Sequence, residues 1–133
     1  MNQANKKAQW TIVVGGLLAF LAVALGAFGA HAWSPLLAKH GTEAIFATAS
    51  DYQFFHALAL IVIGTLARQT EQMSGVTLIT AMMSLGTVIF SGSLYILSLS
   101  GIRWLGAITP IGGTLLLLAW GIFIWKSWID KTT

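Results

Sequence analysis

The chain has 133 residues, room for one domain, and is 56% hydrophobic with 8% charged side chains. Soluble domains carry about 25% charged residues, so at a mean hydropathy of +0.80 this chain lacks the polar surface to cover itself in water and reads as an integral membrane protein. The net charge of +3 comes from seven basic and four acidic residues, nearly all outside the apolar runs, with no stripe of basic residues to bind nucleic acid. The lack of cysteine excludes disulfides, thiol redox chemistry and iron–sulfur ligation.

Residues 1–9 are expected to form a short polar arm carrying Lys6 and Lys7, followed by an apolar run to Ala30. At about 1.5 Å per residue this run covers the roughly 30 Å of a bilayer core. The rival is a cleaved signal peptide with Ala30-His31-Ala32 as its site. Signal cores are usually about 7–15 residues, so a true first span over about 10–31 is expected. Ala22, Gly26 and Ala30 recur at every fourth position, a small-residue face on which another helix can pack closely, within the bundle or in a homodimer.

Ser34-Pro35 starts and Gly41 stops a short helix over 35–40. Thr42 caps the next helix and Glu43 occupies its first turn, where the dipole favours an anion. Its first two turns are amphipathic and rest at the interface, leaving a second span over about 50–67. A polar turn over 68–74 leads to a third span over 75–99. A second turn over 100–104 leads to a fourth span over about 105–126, with Pro110 and Gly112-Gly113 permitting a bend and close packing near its start. Trp104, Trp125 and Trp128 suit interfacial belts.

The expected fold is an all-α, four-span antiparallel transmembrane helix bundle with a short extracytoplasmic helix, residues 1–133 forming a single integral membrane domain. Both termini share one side with Lys6, Lys7, Arg68, Lys126 and Lys131, against Lys39 and Arg103 on the other. The basic excess puts the termini in the cytoplasm of a plasma or inner membrane.

Polar side chains in hydrocarbon must find partners, and they gather at Phe90-Ser91-Gly92-Ser93-Leu94-Tyr95. Candidate partners are His31, Tyr52, Gln53, His56, Arg103 and Thr109. Tyr52 and His56 share a helix face, and His56 is expected to hydrogen-bond to the third span through Ser91, Ser93 or Tyr95. Such a cluster is either interhelical glue or a proton or solute pathway. A metal site would need His31, Asp51 and His56 to converge, with His40 or Glu43, in no recognised ligand spacing. Bis-histidine haem ligation by His31 and His56 is disfavoured by their different depths. Ser91 and Ser93 cannot share a helix face, and no nucleophile elbow surrounds them. Arg103 is an interfacial anchor, or recognises a lipid phosphate, or pairs with Asp51. No catalytic, cofactor-binding or metal-ligating residue is assigned.

Leu25-Gly26-Ala27-Phe28-Gly29-Ala30-His31, Tyr52-Gln53 with His56, Gly86-Thr87 through Tyr95, and Thr109-Pro110-Ile111-Gly112-Gly113 resemble motifs of a small four-span membrane family. It is known as domain of unknown function 423, or the UPF0382 membrane family. The resemblance covers residues 22–120 in matching order and implies a multi-pass plasma or inner membrane protein. It brings no activity, substrate or cofactor with it. The expected function is a non-enzymatic structural or accessory component that binds lipid or a larger membrane complex. The alternative is a small oligomeric transporter or channel that uses the outer polar cluster. Expected partners are the lipid bilayer and a larger complex or homo-oligomer, with no nucleic acid.

Overall fold

The computed structural model describes residues 2–70 and 74–129. All regular structure among them is helical: α1 (Gln3–Ala30), α2 (Ser34–His40), α3 (Glu43–Thr70), α4 (Val76–Ser100), a 3-10 turn (Arg103–Ala107) and α5 (Thr109–Ile129). The 68–74 turn lies partly outside the described residues, as does the tail beyond Ile129.

Four of these segments are long and apolar enough to cross a bilayer. The helices outrun the apolar stretches. The arm expected over 1–9 is helical from Gln3, because Asn2 caps α1 by accepting from the Asn5 N–H at 2.8 Å. α3 is continuous from Glu43, so the amphipathic entry and the second span form one rod. Residues 105–107, expected inside the fourth span, instead belong to the 3-10 turn. α5 starts one residue before Pro110, and proline suits the first helical turn, where its missing N–H costs no intrahelical bond. α2 ends where expected, at Gly41 in the left-handed region with φ +62°.

α1 packs mainly on α3, α3 on α4, and α4 on α5, with a smaller α1–α4 contact. A seven-residue repeat sets these faces. On α1 the buried small residues are Ala8, Gly15, Ala22 and Gly29. Buried positions on α3 include Phe46, Gln53, Leu60 and Ala67, with Ala49, His56 and Ile63 between them. Val76, Ile79, Met83 and Gly86 continue the pattern on α4. This is the spacing of left-handed knobs-into-holes packing. Because lipid is as apolar as leucine, fit rather than hydrophobicity must hold the helices together. Glycine makes that fit close: a Cβ on Gly64 would meet the Ala8 carbonyl at 2.9 Å, and one on Gly15 the Ala57 carbonyl at 2.8 Å. The outer surfaces, with Leu17, Phe20, Val23 and Leu117 exposed, are what a lipid-facing bundle requires.

Two clusters fill the interior. The larger joins Ala8, Leu60, Ile63, Ile79, Met83, Leu116 and neighbours towards the end that holds both termini. The smaller joins Leu37, Phe46, Ala49 and Tyr95 under α2 at the opposite end.

Candidate functional site

Because α5 leans on α4 and not on α3, a cleft opens between α3 and α5 with α4 as its floor. It is an outward-facing groove of about 500 Å³, walled by Tyr52 and His56 of α3, Phe90 of α4, and Pro110, Leu117 and Trp120 of α5. Tyr52 stacks on Phe90 with ring centroids 4.4 Å apart. Trp120 crosses the cleft, and its Nε1–H donates to His56 Nε2 at 3.2 Å. Indole N–H can only donate, so His56 Nε2 accepts and its proton sits on Nδ1, which donates to the Tyr52 carbonyl at 2.7 Å. The expected partners Ser91, Ser93 and Tyr95 are therefore not those of His56, whose interhelical bond goes to the fourth span. The Thr114 hydroxyl, also on the wall, donates to the Pro110 carbonyl at 2.9 Å.

The remaining polar residues disperse over other interfaces. Gln53 is buried against α1 and donates from Nε2 to the Leu18 carbonyl at 2.9 Å. Ser93 bonds its own Phe90 carbonyl at 2.9 Å and meets the Thr109 hydroxyl at 2.8 Å, tying α4 to the start of α5. Tyr95 packs its ring on Phe46 at 4.9 Å in the cluster beneath α2. The Ser91 Oγ is buried without a hydrogen-bond partner. Arg103 is exposed at the start of the 3-10 turn and forms no ion pair with Asp51 among the described residues. His31 is exposed at the end of α1, where its backbone N–H caps on Ala27. No group of three histidine or acidic side chains converges among the described residues.

On α1, Ala22 is buried, Gly26 is half-buried with Ser50 Oγ 3.1 Å from where its Cβ would lie, and Ala30 is exposed. Gly29, one position away, is the residue that faces the Phe46 ring.

Two functional contacts carry little sequence signal. The Ser98 carbonyl, left without an intrahelical partner near the end of α4, accepts from Thr42 Oγ1 at 2.9 Å and from His40 Nδ1 at 3.1 Å. Trp120 stands in an unbroken apolar run that gives no sign of a polar contact. An indole deep in a membrane segment still owns a donor that must be satisfied, and this was the one available clue.

A protein family described as protein of unknown function (DUF423) matches residues 25–113 of the chain. This chain belongs to the DUF423 family. The UPF0382 membrane protein YwdK of Bacillus subtilis is 42% identical over 109 residues, covering 82% of this chain and 88% of its own. A UPF0382 membrane protein of Staphylococcus epidermidis is 42% identical over 113 residues, covering 85% and 90% respectively. The UPF0382 inner membrane protein YgdD of Escherichia coli K12 is 35% identical over 117 residues, 88% of each chain. No solved structure matches the chain. With four segments fit to cross a bilayer, this DUF423 protein is an all-α, four-span membrane bundle.

Proposed function

We propose that this protein is a non-enzymatic accessory component of the membrane whose α3–α5 groove holds a lipid acyl chain. One observation carries the reading: the groove is large, opens outward among apolar side chains, and apart from the Tyr52 hydroxyl its polar side chains are already hydrogen-bonded within the wall. His56 uses both ring nitrogens and Thr114 its hydroxyl, so the wall offers an occupant mainly aromatic and aliphatic surface. The pairing of Gln53, Ser93 and Thr109 across separate interfaces supports a packing role for these residues over a shared passage.

Transport is the second reading, supported by the buried, unpartnered hydroxyl of Ser91, which water would satisfy. In both readings the termini are cytoplasmic, on the strength of five basic residues at that end against Lys39 and Arg103 at the other.

Native mass spectrometry of gently extracted protein tests the first reading. Wild type should retain a phospholipid that Thr114→Trp, which fills the groove, releases. Equal retention in both proteins overturns it. A membrane protein retained in place of lipid, and lost in Thr114→Trp, would make the occupant a helix of a larger complex. Labelling of Ser91→Cys by an impermeant thiol reagent in intact membranes would favour transport.

A further inference from the structure

The end of the bundle that holds both termini carries a second cavity, remote from the α3–α5 groove. It measures about 200 Å³ and is enclosed by Lys7 of α1, Ala67 of α3 and residues 74–77 at the start of α4. Gly75 enters α4 with φ +80°, and no side chain caps the helix, which leaves the first-turn N–H groups of a 25-residue helix as donors beside the cavity. Lys126 arrives from α5: a Cβ on Gly75 would meet its side chain at 3.3 Å. Lys7 lines the cavity, and the Lys126 stem runs beside its Gly75 edge, with the Lys126 ammonium 5.0 Å from the Trp125 ring centroid. The described carboxylates, Glu43 and Asp51, both lie at the far end of α3. Among the described residues this end also carries Lys6 and Arg68.

Directly alongside runs an apolar groove of about 430 Å³ between α1 and α4, which shares Lys7 and Thr77 with the cavity. Trp10, Val14 and Ala81 wall it, while the Thr11 and Thr80 hydroxyls pair with each other at 2.8 Å. A cationic pocket joined to an apolar trench fits an amphiphile with an anionic head.

We infer that this is a binding site for an anionic phospholipid, independent of the α3–α5 groove. The phosphate lies by Lys7, Lys126 and the first amides of α4, and one acyl chain lies between α1 and α4. The trench argues for a lipid over free phosphate, which would leave it unfilled. The two lysines argue against a zwitterionic head, whose cation they would repel.

The test uses the whole chain in uncharged detergent, titrated with phosphatidylglycerol and phosphatidylcholine of identical acyl chains and read by native mass spectrometry. Juxtamembrane lysines each strengthen binding to anionic lipid, and the pair should give phosphatidylglycerol an advantage of up to about thirtyfold. Lys7→Gln with Lys126→Gln should erase that advantage, and Lys39→Gln at the opposite end should keep it. Ala81→Trp, which obstructs the trench with both lysines intact, should lower retention of phosphatidylglycerol, a control if the double variant folds poorly. Glycerol phosphate, the head without chains, should not compete. A wild type that binds the two lipids equally overturns the site. So does a well-folded double variant that keeps the advantage, or glycerol phosphate competing as strongly as the lipid.

Discussion

A neutral imidazole has one donor and one acceptor, and His56 uses both, on Tyr52 within α3 and on Trp120 across the groove. Removing either partner of the cross-helix bond should therefore be felt by the other. Interhelical hydrogen bonds in membranes average about 0.6 kcal/mol in double-mutant cycles, so His56→Ala and Trp120→Phe should couple by about that much in detergent unfolding, while His56→Ala and Tyr95→Phe should be additive. Coupling to Tyr95 instead would contradict the geometry. The need for a partner on another helix was legible in the sequence; its identity was not. Tyr52 stands sixteen positions before Arg68 and its stacking partner Phe90 sixteen after Ser74, so the α3–α4 hairpin keeps a symmetric register. His56 is then level with Gly86, and Ser91 lies about 7 Å further along the axis. Neither tilt nor uneven hairpin ends closes that gap. The shorter route leads sideways to α5, whose lateral position no hairpin count reveals.

At the scale of the helices, glycine spacing decides how near two rods can come. α4 and α5 come close together at Gly86 and Gly112, where a Cβ on Gly112 would overlap the Phe90 backbone and lie 2.8 Å from the Gly86 carbonyl. Backbone cannot swing aside as a flexible side chain can. Gly112→Ala should destabilise the bundle by about 1–3 kcal/mol through overpacking, despite alanine's advantage in a helix of roughly 1 kcal/mol. Gly121, further along α5, faces open space, so Gly121→Ala should leave thermal stability unchanged or raise it. Equal melting temperatures for the two variants in detergent would refute the close approach. The Gly112-Gly113 signal was readable in advance as a packing device. The face of α1 was harder to read, because small residues are frequent enough there to satisfy two periods. Spacing by four selects Ala22, Gly26 and Ala30, whereas spacing by seven selects Ala8, Gly15, Ala22 and Gly29, and burial follows the second. The seven-residue set becomes visible only beside the matching repeat on α3.

Over the whole molecule, the two ends of the bundle differ in construction. One end is closed by α2, tied down where His40 and Thr42 reach the Ser98 carbonyl and where the Phe28, Trp33, Phe46 and Tyr95 rings contact one another in series. The other gathers the termini, Lys7, Arg68 and Lys126 around the start of α4. The number of spans was legible from apolar length alone, since backbone in hydrocarbon must bond internally and helices satisfy that requirement. How α5 sits against α4 was not, because lipid-facing and helix-facing leucines look alike in sequence. The proposed orientation rests on charge, since basic residues are retained on the cytoplasmic side. A chain without cysteine allows single reporters to be introduced with no background labelling. Lys39→Cys on α2 and Trp104→Cys on the 3-10 turn, both exposed, should react with an impermeant thiol reagent added outside intact cells. Gln69→Cys near the end of α3, also exposed, should react only after the membrane is opened. Should Gln69→Cys label from outside and Lys39→Cys stay silent, the bundle is inverted, and the two-lysine cavity would face the outer leaflet.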